Sequence, residues 1–261
     1  MRKGKDGAKT LNPGTYGLVL QQSENGVLVL NAGPLRLYFQ RILNELRIAS
    51  ERADGSESDA ENRTWSRWAL QREDFQIILK PAMPDMQVVV KPDSPFRLSP
   101  GARVKIYTRI PIWITVHTSI NPDHTLLEVP AVELSRTWIG DLTHGKPGYW
   151  LETRARREAD FEQNEAHLAV ATMNISNESG EDLLIEKINV LVERLSLFHH
   201  AGRFWTDEMD VVYKGSNQHS EIAMRGQAPA VAQQAVFVRS PRLPMKKSIA
   251  ERIFKEINIF S

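Results

Sequence analysis

The most constraining feature of this chain is an apolar residue at every second position, sustained over short runs that turn residues interrupt. The longest run places Val104, Ile106, Ile110, Ile112, Ile114 and Val116 on one face, with Lys105, Tyr107, Arg109, Trp113, Thr115 and His117 on the other. A period of two is the spacing of a β-strand, whose successive side chains point to opposite faces. Pro111 interrupts the run. Proline has no N–H for a central ladder, so the pattern predicts one bent strand, or two strands joined near Pro111. Similar runs recur at 75–79, 86–90, 126–134, 168–175, 183–192, 209–213 and 236–238. Many short strands with turn-rich joints predict a mainly β chain of one or two packed β-sandwich lobes.

Several segments admit sharper expectations. Apolar runs at 18–20 and 27–30 flank Ser23-Glu24-Asn25-Gly26, and Asn-Gly between such runs is a strong hairpin signal. Residues 35–46 satisfy two periods at once. Leu35, Tyr38, Phe39, Ile42, Leu43 and Leu46 fill a helical stripe behind Pro34, whereas Leu35, Leu37 and Phe39 alternate. Their place directly after a hairpin favours strands continuing a meander. The almost wholly polar stretch 52–63 predicts a mobile loop. Six of the 14 prolines fall between Pro81 and Pro111, which sets a boundary near residue 92. The expected organisation is a flexible basic tail over 1–12, an N-terminal β lobe over 13–92 and a β-sandwich domain over 93–240.

A short C-terminal α-helix is expected over 246–260. Ser248 and Glu251 have the spacing of a capping box, and Glu251 precedes Lys255 by four. Ile249, Ile253, Phe254 and Ile257 form its apolar stripe. A helix this short is marginal alone, so the stripe predicts docking, on the body of the chain or on a partner. Trp113, on the polar face of its strand, joins these four as a candidate partner-binding residue.

Charge and motifs narrow the function classes. Lys and Arg number 33 against 32 Asp and Glu, a net charge of +1. There is no global field to draw the chain to nucleic acid or to an acidic membrane, and no nucleic-acid partner is expected. The chain has no Cys, which excludes disulfides, thiolate-bound zinc and a thiol nucleophile. Phosphate-loop, dinucleotide and nucleophile-elbow motifs are all missing from the sequence. No window approaches the ~18 apolar residues of a membrane span. Residues 1–10 carry no apolar core of a signal peptide. The expected location is therefore cytoplasmic, without membrane insertion.

His199-His200, followed by Asp207, Glu208 and Asp210, supplies metal-ligand types without the His-Glu-X-X-His spacing. In a strand, adjacent rings point to opposite faces and cannot share one ion. Solvated turn residues are the better reading, and no metal or cofactor is expected. His117, Asp123 and His124 flank ordinary Asn-Pro-Asp turn chemistry and read the same way. If the chain has a ligand pocket, Trp138, Tyr149, Trp150 and Trp205 line it, with Arg136 and Arg154 for an anionic group.

One stretch resembles a known family. Leu79-Lys-Pro-Ala-Met-Pro-Asp85, Val88-Val-Val-Lys-Pro-Asp-Ser-Pro95, Leu98-Ser-Pro-Gly101 and Arg109-Ile-Pro-Ile-Trp-Ile114 follow one another. Leu134-Ser-Arg-Thr-Trp-Ile-Gly140 and Gly148-Tyr-Trp-Leu-Glu-Thr-Arg154 come next, then Leu195-Ser-Leu-Phe198 and Phe204-Trp-Thr-Asp-Glu208. Over roughly 75–215 this succession resembles a prokaryotic domain-of-unknown-function family, number 432 in its series. The resemblance implies a β-rich protein, with no catalytic residues to carry over, often associated with small mechanosensitive ion channels. The leading expectation is a non-catalytic cytosolic binding or regulatory module, an accessory of such a channel or of another membrane protein. The alternative is a hydrolase or a carbohydrate- or anion-binding protein using a Trp/Arg/His-rich sandwich edge.

Overall fold

A computed structural model describes residues 8–17, 19–20, 26–52, 63–140, 143, 145–158, 165–244, 248–251 and 253–254. In chain order its strands are β1 (Lys9–Thr10), β2 (Val19–Leu20), β3 (Val27–Ala32), β4 (Leu35–Ile42), β5 (Glu45–Arg52), β6 (Ser66–Ala69) and β7 (Ile77–Ala82). Then come β8 (Val88–Pro92), β9 (Phe96–Leu98), β10 (Arg103–Pro111), β11 (Trp113–Thr118), β12 (Leu127–Pro130), β13 (Ser135–Ile139) and β14 (Lys146–Ala155). The last are β15 (Leu168–Asn177), β16 (Leu183–Ile185), β17 (Ile188–Val190), β18 (Leu197–His200), β19 (Arg203–Tyr213), β20 (Ser220–Met224), β21 (Val236–Arg239) and β22 (Ile249–Glu251). Short 3-10 turns at Pro13–Thr15, Val192–Arg194 and Ala230–Ala232 complete the described elements. The fold is mainly β, as the alternation predicts.

Two compact units divide the chain. The first takes Met1–Ala82, Ile112–Val132 and Glu165–His167. It is built from two sheets, ordered β1-β3-β4-β5-β6 and β12-β11-β7-β2. Leu35, Leu37 and Phe39 of β4 and Leu46 and Ile48 of β5 meet Ile77 and Leu79 of β7 and Ile114 and Val116 of β11 in one core. This is a sandwich, with every second residue turned inward.

The ambiguous segment 35–46 is strand, as its alternation favoured. β4 and β5 pair without slip from Leu35↔Arg52 to Ile42↔Glu45, around a turn at Leu43-Asn44. Leu43 occupies the left-handed region at φ 53 and is exposed. It completed the helical stripe only because a turn position carries a leucine. Among the described residues, β2 and β3 do not pair as the Asn-Gly hairpin would require. β2 pairs with β7, while β3 pairs with β1 and β4. The runs on either side of that turn thus enter different sheets, and residues 21–25 lie outside the described residues.

The second unit takes Met83–Pro111, Glu133–Asn164 and Leu168–Ser261. Its largest sheet runs β10-β15-β19-β18-β21, with β20 also on β19 and β22 on β20. A four-stranded sheet, β13-β14-β8-β17, and the pair β16-β9 complete it. Pro111 ends β10, and β11 begins a new strand at Trp113 in another sheet. The first unit's leading stretch ends at Ala82, and residues 112–132, expected within 93–240, fold with it. Pairing of β11 with β7 brings them there. Proline punctuation reports where strands stop, not which strands later pair.

The expected C-terminal helix is corrected at its start. Ile249–Glu251 is a strand that pairs antiparallel with Ser220–Ile222 of β20. A free strand edge on β20 offered this segment ladder hydrogen bonds, which outweigh a capping-box signal in a segment of marginal helix stability. Residues 255–261 lie outside the described residues, as do residues 53–62 of the expected mobile loop.

Candidate functional site

The six ligand-site residues expected from the sequence fall into separate places. β13 and β14 form a hairpin in which Arg136 sits opposite Tyr149 and Trp138 opposite Pro147. Arg136, Trp138 and Tyr149 therefore share one face. Arg136 is exposed, Trp138 half-buried and Tyr149 buried. The Tyr149 hydroxyl donates to Asp85 Oδ1 at 2.8 Å. Burial, and then the bond to Asp85, push its pKa up to about 12, against the opposing pull of Arg136 and Arg242. Two guanidinium groups thus lie near one phenol, and Arg242 Nε is held by the Met83 carbonyl at 2.7 Å. The result is a small rim with an aromatic surface and positive charge.

Trp150 lies on the opposite face, against Val89 and Ile139, with the Lys91 ammonium 4.9 Å from its ring centre. Between them Gly148 is obligatory, because a Cβ there would run into the Ile139 side chain and the Gln87 carbonyl. Arg154 pairs in backbone register with Lys91; its side chain is outside the described set. Trp205 belongs to the seven-stranded sheet, in a cluster with Tyr107, Val170 and Phe198.

The strongest assembly of charged groups is on that larger sheet, and the sequence reading missed it as a unit. In register, Lys105 faces Asn174 and Asn174 faces Asp210, while Tyr107 faces Thr172 and Thr172 faces Glu208. One row further, Arg109 faces Val170 and Val170 faces Trp205. Trp205 and Glu208 are three apart and would ordinarily point to opposite faces. A β-bulge sets Thr206 and Asp207 against Ala171 alone, and this extra residue restores both to one face.

Glu208 is 1% exposed, and its carboxylate meets Lys105 Nζ at 2.8 Å and Arg225 Nη1 at 2.5 Å. The Asn174 amide donates to it at 3.2 Å and the Ala230 N–H at 3.4 Å. Arg225 also holds Asp210 with two hydrogen bonds of 2.8 Å, and Asn174 donates to Asp210 at 2.7 Å. Burial works against the Glu208 carboxylate, and the bonds from Lys105 and Asn174 outweigh it, so its pKa is lowered. Asp210 is lowered in the same way, with Arg225 and Asn174 overcoming burial.

Asp207, one residue away, is treated differently. Its carboxylate accepts the backbone N–H groups of Ser196 at 2.8 Å and Gly226 at 3.0 Å. Neither is a cation, and burial pushes its pKa up to about 6. Asp207 staples two loops to β19. The second of these leads into 226–235, whose Ala228, Ala232 and Ala235 pack over Tyr107, Val170, Phe198 and Trp205. Ala232 is buried in that contact, and Ala228 and Ala235 are half-buried.

The remaining sequence candidates are accounted for individually. His117 is buried with Nδ1 3.1 Å from the His124 carbonyl and Nε2 2.8 Å from Thr115 Oγ1. His199 and His200 sit half-buried on β18. Among the described residues no three His, Asp or Glu side chains gather as a metal site. Trp113 is half-buried in the first unit. Ile253 is buried, and Phe254 meets Tyr213 edge-on at 6.2 Å, so both are engaged within the chain. Ile249 enters β22 by its backbone, and Ile257 lies outside the described residues.

Comparison with known families places the chain. The model of the family described as "Protein of unknown function (DUF432)" matches residues 15–259, so the chain belongs to that family. The match extends well beyond the 75–215 stretch that carried the resemblance. No curated protein and no solved structure matches the chain.

Proposed function

We propose that this DUF432 protein is a non-catalytic cytoplasmic binding module that engages a protein partner along strand β21. The observation that carries this reading is the state of that strand. β21 is the last strand of its sheet path, paired on one side with β18. Val236 is 68% exposed and Phe237 56%, and Val231 nearby is also exposed. An edge strand with outward apolar residues is the usual template for adding a strand from another chain. The partner class we favour is a small mechanosensitive channel or another membrane protein. No helix among the described residues is long and apolar enough to cross a membrane, so in this reading the membrane component is the partner.

Mild-detergent purification from native membranes, followed by mass spectrometry, tests the proposal. A stoichiometric membrane protein that is captured by the natural chain and lost with Val236→Glu supports it. Equal capture by both forms, or none by either, sinks it.

A second reading rests on the Arg136–Tyr149–Arg242 rim, where two guanidinium groups and Trp138 suit an anion or an acidic saccharide. It predicts a rise in melting temperature with sulfate, phosphate or a sulfated sugar, removed by Arg136→Ala. No shift across that panel discards this alternative and leaves the β21 reading untouched.

A further inference from the structure

The two edges of strand β19 are bordered differently. Along one edge β15 runs beside it from Ala169↔Phe204 to Asn177↔Tyr213. Along the other, two strands lie in series, β18 opposite residues 203–206 and β20 opposite residues 209–212. Outside them β21 pairs with β18, and β22 with β20. This side of the sheet is therefore split, and the split falls at Asp207 and Glu208. Backbone N–H groups bridge it. That of Arg225 donates to the Glu208 carbonyl at 3.1 Å. Those of Ser196, just before β18, and Gly226, shortly after β20, donate to the two oxygens of the Asp207 carboxylate at 2.8 and 3.0 Å.

Asp207 is 1% exposed, and the charged groups on the elements around it are engaged with other partners. Arg225 is bound to Glu208 and Asp210, and Lys105 of β10 to Glu208. Arg194, two residues before Ser196, meets Glu193 at 3.7 Å. On β18, His199 leans on the Phe204 ring at 6.0 Å and His200 is level with Arg203. Arg239 of β21 is level with Leu197. A buried carboxylate met only by N–H groups is costly to ionise. Its protonated form retains acceptor capacity, so closure of the split survives protonation and is relieved of the buried charge. Residues 226–235 lead from this point to β21. They leave it at Gly226, in the left-handed region at φ 65, and Ala230 N–H reaches Glu208 at 3.4 Å. The segment that leads into β21 and the strand that β21 pairs with thus both begin at Asp207.

We infer that Asp207 is a proton-operated latch on the split edge: neutral, it holds β18 and residues 226–235 closed against β19, and ionised, it favours release of 226–235. Because β21 follows that segment directly, the latch governs how firmly the exposed strand is seated. Its bearing on partner docking rests on the β21 reading. The latch itself needs no partner and is tested without one.

Amide hydrogen exchange of the full ¹⁵N-labelled chain tests it, read as protection factors so that the intrinsic pH dependence of exchange cancels. Closed, Asp207 titrates at about 6 against an ordinary 3.8, and opening restores the ordinary value. Protection at Gly226 should therefore fall about tenfold from pH 5 to pH 7. It should not respond to sub-denaturing urea, as befits a local opening. Asp207→Asn, whose amide oxygen accepts without charge, should keep one level of protection across that range. The carboxyl ¹³C signal of Asp207 in the natural chain needs no variant, and it should titrate near 6. Three outcomes overturn the inference: pH-independent protection at Gly226, the same fall in Asp207→Asn, or a urea dependence at Gly226 equal to that of the β15 amides. The last would mean that the split opens only when the sheet unfolds. Titration of the Asp207 carboxyl in the ordinary range also overturns it.

Discussion

Phe39 of the first unit and Glu208 of the second are equally sealed from solvent, at 0% and 1% exposed. Both sit inside strands with an alternating pattern, yet they are buried by different means. Phe39 needs only neighbours of complementary shape, which β7 and β11 supply. Its removal from water stabilises the fold by roughly 1.5–3 kcal/mol. Glu208 brings a desolvation cost of several kcal/mol, which must be offset by charges placed to within a few tenths of an ångström. Lys105, Arg225 and Asn174 meet that demand from three different strands or strand ends. An apolar core tolerates rearrangement as long as volume is kept. The charged face fixes register, because one slip along β19 would bury the carboxylate without its cations.

The sharpest way to break this comparison is to empty each site. Phe39→Ala should cost about 3–5 kcal/mol in urea unfolding. A loss below about 1 kcal/mol would mean that the first unit's sandwich core is not where stability resides.

Acid separates Asp207 from its neighbours. Its folded pKa of about 6 lies above the ordinary 3.8. The folded state therefore holds its proton more tightly than the unfolded state between those values, and stability falls as pH rises through that window. The change contributed by this one group is on the order of 3 kcal/mol. Glu208 and Asp210 have lowered values, so their stabilisation is present above the ordinary carboxylate range and is lost only as pH falls below it. The natural chain should accordingly gain stability on going from pH 6.5 to 4.5. Asp207→Asn should lose that slope, and denaturation midpoints at four or five pH values check it. An unchanged slope in the variant would assign the effect elsewhere.

Glu208→Ala should cost about 2 kcal/mol, less than Phe39→Ala, because Lys105 and Arg225 can reach water once the carboxylate is gone. A cost above that of Phe39→Ala would reverse the ranking drawn above. The smallest effect is expected at Val236→Glu, within about 0.5 kcal/mol of the natural chain, since that side chain is 68% exposed. Its effect should appear in partner capture alone.

Much of this was legible in the residues. Alternation at 104–116 gave both the strands and the polar face that carries Lys105 and Tyr107, and Pro111 marked their junction. The sequence grouped Arg136, Trp138 and Tyr149 in the lining of one conditional pocket, and the pairing of β13 with β14 is what sets these three on one face. The same reading assigned Trp150 and Trp205 to that pocket, and neither belongs there. Trp150 points the other way by strict parity, which the sequence contained. Trp205 lies in a different sheet, which it did not.

What the sequence determined by itself is local. It set which residues alternate, where strands must stop, and that no cysteine chemistry takes place. Tertiary structure alone decided the pairing of β2 with β7 in place of β3, the return of 112–132 to the first unit, and the capture of Ile249–Glu251 as a strand. It also decided that a single extra residue at Thr206-Asp207 turns Trp205 and Glu208 onto one face. The physical reason is common to these cases. A strand's hydrogen bonds are made to another strand, so its partner, its register and the face of each side chain are fixed by residues far away in the chain.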